Sequence, residues 1–531
     1  LRGGLGVDPL GALAAVGTLS SGLAGSRFEL AEAAAFCRRE APGVRAALVS
    51  TRPYHDAGAH AAQEIAWATA TGVDYLRALT ERGLSIDDAA QQVRFAFSVG
   101  GDFFTEIAKL RAARWLWSKV VAASGGGGDA QRMVAHACTS RFTTTQRDPW
   151  VNLLRGTAEA AAAALGGADS IAVLPFDAAI GASTSFAARV ARNTQLVLRE
   201  EAHLARVADA PGGSWYVESL TEALARAAWT ELQRVEAAGG MADALAGGVI
   251  HAAVRAAARA RAEAVATRRA PIVGVSEFAS LDEAPVTGEA VAPAEVEASL
   301  GRPLRDIDPE ARHAALAGLI AAVQLTRSAV APSEGAVFAA AVDAVRAGAD
   351  LTSVMSALRR GYPSVHVDPL RARRAAEPFE VLRDAGDRLI KDGAARPRAF
   401  LAKLGPLLEH KARAAWVRGL LAAGGIEARA GEVFEDPGDA GAVARAFKAS
   451  GARVAVLCGT DERYEAVGES LARALSEREE GEDGARMVAL AGRGGAHEDA
   501  LRAAGVGLFL YRGVDVVAAL DRIHRELGVT R

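Results

Sequence analysis

The run Val44-Arg-Ala-Ala-Leu-Val-Ser50 is short and β-branched, an amphipathic pattern over Gln63–Arg82 follows it, and Val93-Arg-Phe-Ala-Phe-Ser-Val99 is β-branched and aromatic again. Strand, helix, strand at this spacing predicts a βαβ unit with parallel strands. The alternation continues outward. Phe103–Ala122 predicts a helix, Met133–Cys138 a strand, Asn152–Leu165 a helix and Ser170–Leu174 a strand. Helices are predicted at Thr184–Glu201 and Leu220–Ala237, then a last strand within Ala270–Val275. Polar loops follow these strands, as in a (β/α)8-type barrel. Residues 1–280 hold about five strands, fewer than the eight a closed barrel needs. The expectation is an N-terminally truncated, open partial barrel whose free edges are Val44–Ser50 and Ile272–Val275; the first residue is Leu, not Met.

Residues 281–395 read as a linker rich in Pro, Glu and Ala, then a helical segment at Arg312–Ser328, Gly335–Ala347, Leu351–Leu358 and Pro369–Lys391. Within 396–531, strands predicted at Arg398–Leu404, Ile426–Ala430, Arg453–Cys458, Arg486–Ala491 and Val506–Tyr511 alternate with helices. That is the pattern of a flavodoxin-like doubly wound domain. The expected fold class is α/β, with divisions at 1–280, 281–395 and 396–531.

Half of the 531 residues are hydrophobic and 24% are charged, enough to bury large cores. With 61 basic against 64 acidic residues, phosphate-driven nucleic-acid binding is not expected. No apolar run of ~20 residues is present, so no membrane span is expected. Three widely spaced cysteines, Cys37, Cys138 and Cys458, exclude a disulfide scaffold and suit a cytoplasmic protein. Lys109, Arg111 and Arg114, with Glu106 on the same helix, read as a solvated charged face. His55 follows the strand ending at Ser50, and His136 stands two before Cys138. No histidine pair has a third ligand at metal-site spacing.

Four stretches carry a resemblance: Asp102-Phe-Phe-Thr-Glu-Ile-Ala-Lys-Leu-Arg-Ala-Ala-Arg114, Thr145-Gln-Arg-Asp-Pro-Trp150, Ala188-Arg-Val-Ala-Arg-Asn-Thr-Gln-Leu-Val-Leu-Arg-Glu-Glu201, and Asp209–Ser214. Through them the chain resembles the methylmalonyl-CoA mutase family over nearly its whole length, and its last domain resembles a B12-binding domain. The resemblance implies interconversion of methylmalonyl-CoA and succinyl-CoA by an adenosylcobalamin radical rearrangement. Catalytic chains of that family hold cobalt through the His of a Lys-x-Gly-x-Asp-x-His-x-x-Gly motif. The equivalent stretch here is Lys403-Leu-Gly-Pro-Leu-Leu-Glu-His-Lys-Ala412. Lys403 and Gly405 match, but Leu407 takes the Asp position, Glu409 the His position and Ala412 that of the last Gly. Sliding by one, to make His410 the cobalt ligand, puts Leu408 and Arg413 at the flanking positions.

In the barrel, the resemblance makes Tyr54 and His55 vestigial catalytic candidates, and His136, Thr139 and Ser140 vestigial substrate-binding ones. Cys138 stands where catalytic chains carry Gln, and Gln92 and Arg94 occupy the places of an Arg-x-Ser substrate motif. These departures resemble the small (β) subunit of the bacterial heterodimeric enzyme. They imply a non-catalytic chain, no metal of its own, and a large-subunit partner carrying adenosylcobalamin, with acyl-CoA bound in the complex. The alternative is an active adenosylcobalamin-dependent acyl-CoA mutase in its own right.

Overall fold

The computed structural model describes residues 2–287, 308–328, 334–435, 438–477 and 487–529. They fall into two compact units, Leu1–Thr143 with Leu153–Ala258 and Thr287–Arg373, and Thr144–Asn152 with Arg259–Val286 and Arg374–Arg531. The sequence divisions at 280 and 395 are therefore not the structural ones. Helices Pro309–Ser328, Ala336–Arg346 and Leu351–Arg359 pack around Phe28 within the first unit. Helix Glu377–Lys391 instead belongs to the second. Part of the expected linker, 288–307, lies outside the described residues.

The first unit contains, among the described residues, β1 (Gly3–Val7), β2 (Thr18–Leu19), β3 (Val44–Ser50), β4 (Val93–Val99), β5 (Ala135–Thr139), β6 (Ser170–Ala172) and β7 (Val365–His366). Five of them form one open sheet in the order β1-β3-β4-β5-β6, each neighbouring pair parallel. Its edges are β1 and β6. The expected edge Val44–Ser50 is internal, because Gly3–Val7 adds a strand that its three glycines conceal from any β-propensity reading. The other expected edge, Ile272–Val275, is not a strand. Gly274 turns with φ +81°, and the Ile272 carbonyl accepts from the amides of Val275, Ser276 and Glu277, closing a turn. Alternate strand residues Phe95, Phe97, Ala135 and Ala137 are buried against helices. Trp117, on helix Phe103–Ala123, meets Phe95 edge-on with ring centres 4.7 Å apart.

In the second unit, β8 (Arg398–Leu404), β9 (Glu427–Phe434), β10 (Val454–Cys458), β11 (Met487–Leu490) and β12 (Val506–Phe509) form a parallel sheet in the order β9-β8-β10-β11-β12. This is the flavodoxin-like order, with its switch point between β8 and β10. Every residue of β10 is buried, as a central strand covered on both faces requires. Val454 and Val456 pack on one side with Leu420 and Ile523, and Ala455 and Leu457 on the other with Phe447 and Leu471. No described helix is long and apolar enough to cross a membrane.

Candidate functional site

The carboxyl end of the first sheet gathers a buried polar cluster. Thr51 and His55 follow β3, and Ser140 follows β5 directly. Glu64 lies in the first turn of helix Ala61–Thr80, and Glu106 and Lys109 in the first two turns of Phe103–Ala123. His55 Nδ1 is 2.8 Å from Glu64 Oε1, and its Nε2 is 2.7 Å from Ser140 Oγ. A carboxylate only accepts, so Nδ1 carries a proton that it donates to Glu64, while Nε2 pairs with the Ser140 hydroxyl. Hydroxyl, imidazole and carboxylate in this order form a nucleophile–base–orienter chain. It is sealed, however: Ser140 is 0%, Glu64 1% and His55 2% exposed. The Ser140 amide is also engaged, donating to Glu159 Oε2 at 2.9 Å. The cluster therefore ties the loops after β3 and β5 together.

Lys109 lies at its centre, fully buried. Its ammonium is 2.6 Å from Glu106 Oε2, 3.3 Å from both Glu64 oxygens, and donates to the Ser98 carbonyl at 2.6 Å. Burial lowers its pKa, but Glu106 and Glu64 outweigh that and raise it. The charged-face reading of this helix is thus corrected. Arg111 does pair outward, with Asp209 and Glu218, and Arg114 donates to the carbonyls of Gly166 and Gly167. Glu159 is also buried, and burial pushes its carboxyl up to about 8 despite hydrogen bonds from Thr143 and Ser140.

The other barrel candidates do not join this chain. Tyr54 packs edge-on against Trp67 at 5.3 Å, and burial drives its phenol pKa far up. Thr139 Oγ1 accepts from the Leu174 amide, and His136 Nδ1 lies 2.9 Å from Ser170 Oγ. Only His55 and Ser140 come together. Glu64 and Glu159, their partners, carry no sequence motif; a carboxylate in an otherwise alanine-rich, buried helix was the available signal.

At the carboxyl end of β8 the helix Leu407–Ala423 begins almost at once, after Gly405 at φ +77°. Glu409 accepts from Arg463 Nε at 2.6 Å, and that hydrogen bond holds its carboxyl below the usual range. His410 is 2% exposed and donates Nδ1–H to the Gly405 carbonyl at 3.0 Å. Arg413 spans the switch point, donating to the Gly459 carbonyl and pairing with Asp461 at 2.7 Å. Leu407 and Leu408 face solvent, as does Ala412, and Lys403 is half-buried. These residues do not fit a cobalt site: Glu409 is committed to a guanidinium, and the neighbouring imidazole points inward. Among the described residues no group of three or more His, Cys, Asp or Glu side chains could hold a metal ion.

Residues 1–364 match the family model described as methylmalonyl-CoA mutase. The chain is 39% identical over its full length to the methylmalonyl-CoA mutase small subunit of Streptomyces virginiae, spanning 71% of that protein. It is 38% identical over 92% of its length to the probable methylmalonyl-CoA mutase small subunit of Mycobacterium tuberculosis (strain ATCC 25618 / H37Rv), spanning 65% of that one. Over 71% of its length it is 34% identical to the methylmalonyl-CoA mutase of Escherichia coli K12, of which it spans 54%. The chain belongs to the methylmalonyl-CoA mutase family.

Proposed function

We propose that this chain is a non-catalytic subunit of a cytoplasmic methylmalonyl-CoA mutase, and that a large subunit carries adenosylcobalamin and the isomerase chemistry on acyl-CoA. The observation that carries this is the Glu409–Arg463 pair in place of a ligand imidazole, with His410 turned inward. The sealed His55–Ser140 chain agrees with it, since a buried serine and histidine offer a substrate nothing to bind. The relatives named small subunits favour the same reading over a mutase active in its own right. Its partnership would be a permanent heterodimer burying more than ~2,000 Å² in total.

Spectral titration of the purified chain with adenosylcobalamin tests the proposal. The expected outcome is an unchanged cobalamin spectrum, with cobalamin and mutase activity recovered only on co-purification with a large mutase subunit. A base-off shift that disappears in His410→Ala would overturn it.

A further inference from the structure

In the first unit, helix Trp215–Ala237 runs beside helix Phe103–Ala123. Phe104 meets Tyr216 edge-on with ring centres 5.4 Å apart. Farther along, Arg111 pairs with Glu218 at 2.7 Å. Beyond them, Trp115 and Trp229 line a groove of about 520 Å³ between the two helices. Helical spacing puts Phe104, Arg111 and Trp115 on one stripe, at i, i+7 and i+11. Trp215, Glu222, Arg226 and Trp229 share a stripe in the same way. Trp117, two residues after Trp115, is buried in the core instead. Helix Val249–Ala266 carries Ala252, Arg255 and Ala256 outward. An outward tryptophan departs from that pattern.

Phe104, Trp115, Trp215, Tyr216 and Trp229 are 48, 46, 92, 61 and 43% exposed. With roughly 200 Å² per aromatic side chain, these leave roughly 600 Å² of ring surface in water. Single exposed apolar residues are ordinary, whereas a patch of this size marks an interaction surface. It amounts to most of the ~800 Å² that each partner contributes to a standard interface. The charges around it are paired with one another, with one exception. Glu218 holds Arg111, and Glu222 holds Arg226 at 2.6 Å. Lys119, on the groove wall, is exposed and has no partner among the described residues.

We infer that this aromatic groove is where the chain docks on the large subunit, through a partner segment that presents apolar side chains and a carboxylate for Lys119. Tryptophan and tyrosine are the residues that most often anchor an interface, and they do so from pockets ringed by paired charges. A second copy of this chain fits the groove poorly. In a two-fold interface the patch meets itself. That would bring two unpaired ammonium groups together, with no free carboxylate on either side to offset them. The inference rests on the heterodimer proposed above and names the surface that forms it.

Size exclusion of the full chain with a large mutase subunit, followed by interferometric titration of the two, tests it. The wild type should form a one-to-one complex. Trp115→Ser combined with Trp229→Ser should weaken it roughly 30-fold or more, the effect of losing central aromatic anchors. Lys119→Glu should weaken it roughly tenfold through slower association, and added salt should shrink that loss. Lys119 is exposed, so its variant decides the matter if the tryptophan variant melts early. Leu351→Ser, at an exposed apolar position on helix Leu351–Arg359, should change nothing. A loss in either groove variant with unchanged melting supports the inference. A complex that keeps its wild-type affinity in both would overturn it and leave the heterodimer standing. No complex with the wild type would overturn both. Self-association of the wild type that the tryptophan variant abolishes would place a second copy in the groove and overturn the inference as well.

Discussion

A single buried carboxyl can set how the first unit responds to pH. Glu159 stands behind Ser140, and burial raises its pKa from 4.5 to about 8. The folded protein therefore holds this proton across a range in which the unfolded chain has released it. Stability from this group is fully present below pH 4.5 and is lost as pH rises toward 8. Glu159→Gln keeps the shape and one acceptor while removing the titration. Urea midpoints at pH 5 and pH 8 should differ less in the variant than in the wild type. Equal differences would show that Glu159 is already ionised in the folded state. Such residues were legible only through their neighbours. His55 and Ser140 stood out by position after strands, whereas Glu64 and Glu159 gain their meaning from packing that brings together residues up to 85 positions apart. The same holds for Lys109: helical spacing suggested a solvated face, and the fold buried it between two glutamates.

Elements with strong periodicity were readable, and their failures have local causes. Val44–Ser50, Val93–Val99 and Arg398–Leu404 form strands over the expected residues, because β-branched and aromatic runs there are covered on at least one face. Gly3–Val7 carries no such run, and its pairing is a tertiary effect on a glycine-rich segment. Ala270–Val275 has the β-branched pattern but is no strand, because Gly274 adopts a left-handed turn, and a Cβ there would lie 2.7 Å from the Asp148 side chain. Gly72 shows a glycine used the opposite way, inside a helix. A Cβ at Gly72 would lie 2.5 Å from Trp117 Cζ3 and 3.2 Å from Phe95 Cζ. Alanine is the better helix former by about 1 kcal/mol. Overpacking a filled core costs about 1–3 kcal/mol, and Phe95 behind the indole blocks its retreat. The clash should win. Gly72→Ala is expected to lose up to about 2 kcal/mol in denaturant unfolding, and Trp117→Phe added to it should recover part of that loss. A stabilised Gly72→Ala would mean that the two helices can move apart freely.

At the scale of the molecule, the two units keep separate cores. The large cluster around Phe95, Trp67 and Trp117 and the helical one around Phe28 lie wholly in the first unit. The two clusters on either face of the doubly wound sheet lie wholly in the second. Sequence alternation gave both sheets but not this partition, because it assigned 281–395 by composition, whereas burial assigns its helices to different cores. Cooperative unfolding follows the sharing of a core, so chains with several cores commonly depart from two-state melting. Scanning calorimetry of the full chain should show two transitions. Phe447 is 1% exposed and packs on Phe400 with ring centres 5.6 Å apart. Truncating such a ring costs about 3–5 kcal/mol, or roughly 6–20 °C in a unit of this size. Phe447→Ala should therefore lower one transition by that amount and leave the other in place. Gly72→Ala should do the reverse, moving only the transition that Phe447→Ala spares. A single transition shifted by both changes would show that the units unfold as one body despite their separate cores.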